Sequence, residues 1–169
     1  MARVVTPSIR EMGAGDIAAV TALERAIFPQ PWSPGLFRDE LAQSNRRYIV
    51  AESGGEILGY AGLLLVDEDA HITTIAVAER GRRRRLGSRL LISLVDEALA
   101  GGARHLTLEV RASNVDAQRL YEAFGFAKVG KRKNYYRDED AVVMWATSID
   151  APEYVERLEA LRAAAGEPE

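Results

Sequence analysis

The sequence predicts an α/β fold in which helices flank a central sheet of mixed strand pairing. Three observations support this prediction. Apolar strands intermix with helices, the turn Ser53-Gly54-Gly55 joins two strands as a hairpin, and a strongly periodic helix lies between the strands at residues 72–77 and 105–111. A hairpin makes its strands antiparallel, whereas a helical crossover makes them parallel. Because the chain has both connections, the predicted pairing is mixed.

The elements of the first half follow from periodicity. A strand at residues 8–12 precedes a helix from residue 17 to about residue 28, whose apolar residues recur at helical spacing. The prolines that follow end this helix. Ser33 before Pro34 is a cap and first-turn pair that begins a second helix, to about residue 41. Three strands come next, at residues 47–52, 56–66 and 72–77.

The second half begins with a turn rich in arginine, and the helix after it has one apolar face and ends at Gly101-Gly102. Residues 105–111 alternate between apolar and polar side chains, which predicts a strand with one polar side. Ser113 or Asn114 caps the next helix. The remaining predicted elements are strands at residues 126–133 and 141–147 and a weakly amphipathic tail at residues 151–165, in which Val155, Leu158 and Leu161 recur at helical spacing.

Composition narrows the class of protein. A chain of 169 residues with 47% hydrophobic and 28% charged residues predicts one soluble globular domain. The net charge of -3 argues against a general nucleic-acid binder. The absence of cysteine excludes disulfides, cysteine metal sites and a cysteine acyl-enzyme. No apolar run is long enough to cross a membrane, and residues 1–10 lack a signal-peptide segment, so a cytoplasmic protein is expected.

The arginine-rich turn at residues 78–88 predicts an anion site. The first turn of a helix leaves four backbone N–H groups without intrahelical partners, and the helix dipole adds partial positive charge there. Five arginines among six consecutive residues add guanidinium groups that match phosphate geometry. The predicted ligand is therefore phosphorylated and more than singly charged.

This turn resembles the coenzyme A loop of the GNAT acetyltransferases, in which Arg or Gln is followed by two residues, Gly, one residue, and Gly or Ala. Here it is Arg82-Arg83-Arg84-Arg85-Leu86-Gly87, so Arg85 replaces the first glycine. The element order resembles the whole GNAT fold, a mixed and mostly antiparallel sheet flanked by helices. The resemblance implies a GNAT domain at residues 7–147 and a partly helical C-terminal extension at residues 148–169.

Five further motifs resemble the bacterial ribosomal-protein-alanine N-acetyltransferases, the RimI type. They are Leu108-Glu109-Val110-Arg111-Ala112-Ser113-Asn114, Leu120-Tyr121-Glu122, Gly125-Phe126, Asn134-Tyr135-Tyr136 and Pro31-Trp32-Ser33. This resemblance implies acetyl transfer from acetyl-CoA to the N-terminal α-amine of a protein, most directly the N-terminal alanine of a small-subunit ribosomal protein. Without cysteine, direct attack in a ternary complex is the expected route.

The resemblance also implies two catalytic residues. Glu109 matches the general base, which is needed because an α-amine has a reference pKa of about 7.7–8.0 and is largely protonated at neutral pH. Tyr121 matches the general acid that protonates the departing thiolate. Spacing alone leaves two alternatives open, a strand glutamate that faces solvent and a core tyrosine.

Binding residues follow from the same resemblance. The backbone near Ile75, Ala76 and Val77 would pair with pantetheine, and an N–H of this stretch would polarise the thioester carbonyl. The other implied cofactor-binding residues are Arg82, Arg83, Arg84, Arg85, Leu86, Gly87, Ser88 and Asn114. The implied substrate-binding residues are Trp32, Tyr135 and Tyr136, for which aromatic packing under a loop is the alternative.

No metal site is predicted, because His71 and His105 have no ligand partners at useful spacing, and neither histidine is assigned a role. Two other functions stay open. One keeps the fold and changes the acceptor to a lysine side chain, a polyamine or an antibiotic amine. The other is non-catalytic, as a CoA sensor or an RNA-associated module that uses the arginines at residues 80–85.

Overall fold

The structure, a computed structural model, describes residues 6–82 and 85–166. The strands are β1 (Ser8–Glu11), β2 (Arg46–Ser53), β3 (Glu56–Val66), β4 (Asp69–Val77), β5 (His105–Arg111), β6 (Ala127–Arg132) and β7 (Ala141–Ala146). The α-helices are α1 (Ile17–Ile27), α2 (Pro34–Leu41), α3 (Leu86–Ala100), α4 (Val115–Ala123) and α5 (Pro152–Ala165). Short 3-10 helices cover Ala14–Asp16 and Glu79–Gly81.

The strands form one seven-stranded sheet in the order β1-β2-β3-β4-β5-β7-β6. The pairs β1–β2, β2–β3, β5–β7 and β6–β7 are antiparallel, and the pair β4–β5 is parallel. The predicted mixed and mostly antiparallel sheet is therefore confirmed. The parallel pair is the one that α3 connects, as expected for a helical crossover.

The predicted elements occur in the predicted order, with one boundary that differs clearly. β4 begins at Asp69 rather than at residue 72. The reason is tertiary, because Asp69, Ala70 and His71 pair with His105, Leu106 and Thr107 of β5. The turn before β4 is tight, and Asp67 lies there at a φ of 54°.

The chain forms two compact units, and the first comprises residues 6–64 and 73–94 of the described chain. Its core is an aromatic and aliphatic cluster around α1, α2 and the strands, with members that include Val20, Phe37, Tyr48, Val50 and Tyr60. The rings of Phe37 and Tyr60 meet edge to face at 6.0 Å. The start of α2 is capped as predicted, because the Leu36 N–H donates to the Ser33 hydroxyl oxygen at 3.1 Å.

The second unit comprises residues 65–72 and 95–166 of the described chain. Leu106, Leu108 and Val110 are buried, which confirms the predicted alternation in β5. In α5, Tyr154 and Leu158 are buried whereas Val155 is 40% exposed, so Val155 lies outside the buried face of this helix. The apolar face instead follows Tyr154, whose hydroxyl donates to the Phe124 carbonyl oxygen at 2.7 Å.

Candidate active site

Glu109 lies in the middle of β5 in the second unit, and its side chain is 11% exposed. It is therefore not the solvent-facing strand glutamate that spacing alone left open. Its Oε2 lies 2.9 Å from Nε2 of His71, and its Oε1 lies 3.6 Å from Nε of Arg132. The hydrogen bond with His71, more than any other cause, lowers the pKa of Glu109, although partial burial opposes this. The carboxyl is therefore ionised at neutral pH.

His71 is a site residue that sequence reasoning missed, because no spacing rule gave it a partner. The parallel register places His71 opposite Thr107, and Nδ1 of His71 lies 2.6 Å from the Thr107 hydroxyl oxygen. A carboxylate accepts hydrogen bonds and cannot donate them, so Nε2 of His71 carries the proton that bonds Glu109. In the neutral ring, Nδ1 then accepts from Thr107. Both ring nitrogens of His71 therefore make hydrogen bonds. The bond with Thr107 orients the imidazole ring, and the bond from Nε2 orients the Glu109 carboxylate.

The other histidine, His105, belongs to a different contact. Its Nδ1 accepts a hydrogen bond from the Ser148 N–H at 3.1 Å. Among the residues that the structure describes, no group of three or more His, Cys, Asp or Glu side chains could hold a metal ion.

We expect His71→Ala to raise the pKa of Glu109, because the substitution removes the largest cause of its lowering while the desolvation remains. The carboxyl carbon-13 resonance of Glu109, assigned by comparison with Glu109→Gln, measures this titration. His105→Ala is the matched control, since His105 bonds Ser148 instead. An identical Glu109 titration in His71→Ala and in the wild type would contradict this description of the pair.

Tyr121 lies on α4 and is 6% exposed. Its ring packs against Phe126 at a centroid distance of 5.8 Å. Burial is the main reason that the pKa of the Tyr121 phenol is raised, and the nearby Tyr136 adds to the effect. The phenol therefore keeps its proton throughout the neutral range, as a proton donor must. Its burial also agrees with a core tyrosine, so the assignment as general acid stays a prediction.

Tyr135 and Tyr136 lie in the turn between β6 and β7, in the second unit. Their rings meet edge to face at 5.1 Å, and Tyr135 is 49% exposed. The guanidinium of Arg132 lies 5.4 Å from the Tyr135 ring centroid, and that of Arg111 lies 4.2 Å from the Tyr136 ring centroid. Burial, followed by the neighbouring Tyr135, raises the pKa of Tyr136 to about 12. The same turn thus presents one exposed and one half-buried aromatic ring.

Trp32, the third residue predicted at the acceptor entry, lies in the first unit. Its indole packs against the core at 5.3 Å from the Phe37 ring, so it is partly an aromatic packing residue. The Trp32 N–H donates to Oε1 of Glu24 at 3.3 Å, and the Tyr60 hydroxyl donates to Oε2 of the same carboxyl. Glu24 is 3% exposed, and burial raises its pKa. This buried carboxyl, which sequence reasoning also missed, fixes the backbone that carries Trp32.

We expect Glu24→Ala to lower the free energy of unfolding by about 2–4 kcal/mol, because two donors lose their acceptor and a small cavity forms.

Glu24→Gln keeps an acceptor for the Trp32 N–H but cannot ionise. Because the folded-state pKa of Glu24 is raised from 4.5, its contribution to stability is full below pH 4.5 and is lost as the pH rises through the folded-state value. Urea unfolding at several pH values should therefore show Glu24→Gln gaining stability over the wild type above pH 4.5. A pH-independent difference would contradict this.

Those residues predicted to bind the pantetheine and pyrophosphate that the structure describes lie in the first unit. The pairing of β4 with β5 covers Asp69–His71, and Ile75, Ala76 and Val77 follow later along β4. After β4, Arg82 is exposed, and Leu86 begins α3 with its side chain buried. Gly87 and Ser88 lie partly exposed in the first turn of α3. The predictions for Arg83 and Arg84 lie outside the described residues.

Arg85 has a left-handed backbone, with a φ of 56°. This is the position at which the coenzyme A loop pattern has its first glycine, and glycine adopts this conformation at no steric cost. The structure therefore gives a physical reason for the glycine of the pattern. In this chain an arginine adopts the same backbone conformation and adds a cation to the loop.

We expect Arg85→Gly to stay within about 1 kcal/mol of the wild type in stability, because the left-handed backbone suits glycine. Arg85→Val should lose about 1–2 kcal/mol, because a β-branched side chain is strained at this φ. Arg82, at φ -68° and ψ 158°, is the matched control, since valine is tolerated in extended backbone. Urea unfolding measures all of these variants, and equal stability of Arg85→Val and Arg85→Gly would contradict the expectation.

Asn114, predicted to contact the cofactor, caps α4. Its side-chain oxygen accepts from the Ala117 N–H at 3.1 Å, which confirms the predicted cap and selects Asn114 over Ser113. The cofactor contact stays a prediction. Within residues 6–82 and 85–166, every helix is too short or too polar to span a lipid bilayer.

The fold, the element order and the loop before α3 together define the class of this protein. The profile of the Acetyltransferase (GNAT) family matches residues 17–126, and the chain belongs to that family.

Individual relatives point to one kind of GNAT protein. A protein of Bacillus subtilis (strain 168), provisionally named a ribosomal protein bS18-alanine N-acetyltransferase, is 42% identical over 83% of this chain and 95% of its own length. The N-alpha-acetyltransferase RimI of Mycobacterium tuberculosis is 36% identical over 85% of this chain and 94% of its own length. The crystal structure of the ribosomal-protein-S18-alanine N-acetyltransferase from Escherichia coli matches with a TM-score of 0.78 at 32% identity, covering 84% of this chain and 94% of that protein. These similarities confirm the predicted fold.

Proposed function

We propose that this protein transfers an acetyl group from acetyl-CoA to the N-terminal α-amine of a protein, with the N-terminal alanine of a small-subunit ribosomal protein as the expected acceptor. The relatives named above, two of which carry that activity in their names, support the acceptor class. The single observation that carries the proposal is the position of the Glu109 carboxyl, which is 11% exposed and lies 2.9 Å from Nε2 of His71 in the strand motif that the sequence singled out.

The reference pKa values of the two kinds of amine, rather than that of Glu109, favour an α-amine over a lysine side chain as acceptor. A carboxylate removes a proton more easily from the less basic of two ammonium groups. The reference pKa of an α-amine is about 7.7–8.0 and that of lysine is about 10.4. The difference of about 2.4 pKa units corresponds to about 3 kcal/mol. For a carboxylate base such as Glu109, deprotonation of an N-terminus is therefore the less costly step.

Each predicted site residue has a defined task in this proposal. Glu109 accepts the proton that the acceptor amine must lose before or during its attack, directly or through a water. Tyr121 donates its proton to the departing sulfur. The backbone near Ile75–Val77 would bind pantetheine and polarise the thioester carbonyl, and acetyl-CoA would supply the activated acyl group. The cationic Arg82 and Arg85, which precede the 15-residue helix α3, support binding of acetyl-CoA at this loop.

The same proposal covers the cofactor contacts of the loop and of Asn114, and the acceptor contacts of Trp32, Tyr135 and Tyr136. Residues 7–147 form the catalytic domain in this proposal, and residues 148–169 form an extension. The reaction needs no metal, and the absence of cysteine agrees with work in a reducing cytoplasm.

The RNA-associated alternative is weakened by Arg80. Its Nε lies 2.6 Å from a Glu56 carboxylate oxygen, and this ion pair neutralises part of the basic stretch.

The test is acetyl-CoA turnover with two peptides of identical sequence that begin with alanine, one with a free and one with a blocked N-terminus, each carrying an internal lysine. We expect turnover with the free peptide and none above background with the blocked one. Equal turnover with both would replace the N-terminal acceptor with a lysine acceptor. Absence of turnover together with salt-sensitive RNA binding would favour the non-catalytic alternative.

A further inference from the structure

The turn of residues 133–140, between β6 and β7, holds a defined conformation without being a helix or strand. Asn134 has a left-handed backbone with a φ of 53°, and its N–H donates to the Asp140 side chain at 2.8 Å. The Tyr136 N–H donates to the Glu139 carbonyl oxygen at 3.1 Å. Because a turn of this kind has no ladder or helix to stabilise it, its conformation depends on such individual bonds.

Arg111, the last residue of β5, contacts this turn with one side chain at three points. Its Nη1 donates to Oδ1 of Asp138 at 2.8 Å and to Oε1 of Glu139 at 3.1 Å. Its guanidinium carbon lies 4.2 Å above the centroid of the Tyr136 ring. The Arg111 side chain is 20% exposed, so these contacts form in a partly desolvated position.

Glu139 makes the reciprocal connection from the turn to the segment after β5. Its Oε2 accepts from the Ser113 N–H at 3.0 Å, and its Oε1 accepts from the Ser113 hydroxyl at 2.9 Å. The Ala112 N–H adds a bond to the Asp140 carbonyl oxygen at 3.0 Å. The bonds from Ser113 and Arg111 together lower the pKa of Glu139, so it is ionised at neutral pH.

A surface ion pair taken singly contributes little, because solvent screens it and two side chains must be ordered. Here one carboxylate receives a backbone N–H, a hydroxyl and a guanidinium, and the same guanidinium stacks on the ring that the turn presents. Such a connected network fixes geometry more than it adds stability. The network therefore sets the position of the Tyr136 ring relative to β5, the strand that carries Glu109.

We propose that Arg111 and Glu139 are positioning residues for the acceptor, which act by holding the 133–140 turn so that Tyr136 is presented to the incoming N-terminus. This inference rests on the proposed function, since it deepens the description of the same acceptor site. It assigns to Arg111 and Glu139 control of acceptor affinity, and it leaves acetyl-CoA binding and the proton-transfer residues unaffected.

The test compares Arg111→Lys, Glu139→Gln and the double variant with the wild type. Lysine keeps the charge but loses the planar group that stacks on the Tyr136 ring, and glutamine keeps the shape but loses the charge. We expect the KM for an alanine-led peptide to rise about tenfold in each variant, with kcat and the KM for acetyl-CoA within about twofold of the wild type. Because the two residues act through one network, the double variant should be little worse than the worse single variant.

Hydrogen exchange of the Asn134 and Tyr136 amides gives an independent measure of the turn, and we expect both amides to exchange faster in the variants. Asp150→Asn is the matched control, since Asp150 pairs with Arg104 in an exposed bridge of the same unit, with 3.3 Å between the charged atoms. This control should change neither the peptide KM nor the exchange of the two amides.

An unchanged peptide KM in Arg111→Lys and Glu139→Gln, in an enzyme that acetylates the peptide, would overturn the inference and leave the proposed function standing. An equal rise in the KM of acetyl-CoA would also overturn it, because the effect would then be general rather than specific to the acceptor. Absence of turnover in the wild type with any free N-terminus would overturn the proposed function itself, and the inference with it.

Discussion

Glu109→Gln should lower kcat/KM for an alanine-led peptide by about 100- to 10,000-fold near neutral pH, the usual range for loss of a general base. The deficit should shrink above about pH 8, because the acceptor amine then loses its proton without help. The affinity for acetyl-CoA should be unchanged. Glutamine retains an oxygen that can accept from Nε2 of His71, so the fold should be preserved.

Steady-state rates between pH 6 and about 9.5, together with calorimetric titration of acetyl-CoA, measure these effects. Glu122→Gln is the matched control, because Glu122 is a half-exposed carboxylate of the same unit that pairs with Lys128 at 3.7 Å. It should have wild-type activity. A Glu109→Gln enzyme that keeps its rate at neutral pH would show that the base is another group.

Tyr121→Phe is expected to slow turnover by about 10- to 10,000-fold while leaving the fold and the peptide KM close to those of the wild type. Phenylalanine keeps the ring that packs against Phe126 and removes the hydroxyl proton. Because burial raises the pKa of this phenol, Tyr121 should cause no loss of wild-type activity on the alkaline side of neutrality.

Tyr154→Phe separates catalysis from core packing in the same experiment. Tyr154 is also buried, but its hydroxyl donates to the Phe124 carbonyl oxygen at 2.7 Å and has a structural task. We expect this variant to lose about 1–3 kcal/mol of stability and to retain turnover at a temperature where it is folded. Urea unfolding and kcat, measured on Tyr121→Phe and Tyr154→Phe, distinguish a catalytic role of Tyr121 from a packing role. If Tyr121→Phe loses stability and keeps its turnover, Tyr121 is a core tyrosine.

Local rules of sequence predicted most of the fold. Ser33 before Pro34 and Asn114 before α4 are capping residues whose bonds are made with their near neighbours, so their role is visible in a short stretch of chain. The alternation in β5 likewise predicted that Glu109 and Leu108 point to opposite sides. The exposed Val155 shows where such rules fail, because helical spacing alone does not define which face packs.

The environment of Glu109 could not be predicted in the same way. His71 and Glu109 are distant in sequence, and the parallel register of β4 with β5 is what brings them together. No periodicity or spacing shows a register. One usable signal was present: Glu109 lies in one predicted strand and His71 lies one residue before another, with a predicted crossover helix between these strands, so adjacency in the sheet could have been considered.

The same limit applies to Glu24 and to the left-handed backbone of Arg85. Glu24 lies among apolar residues at helical spacing, which indicates a buried position, but its partners Tyr60 and Trp32 come from other elements. Arg85 replaces a glycine of the loop pattern, and the structure adds that the backbone there is left-handed, with a φ of 56°. Neither the partners of Glu24 nor this backbone conformation follows from the spacing of the sequence.

Whether the acceptor is a protein N-terminus can be tested by locating the acetyl group on one substrate that carries both kinds of amine. A peptide with a free N-terminal alanine and an internal lysine is incubated with the protein and acetyl-CoA, and tandem mass spectrometry locates the added group. We expect acetylation at the α-amine of alanine, with the lysine unmodified. Acetyl groups on the lysine ε-amine, with the α-amine free, would contradict it.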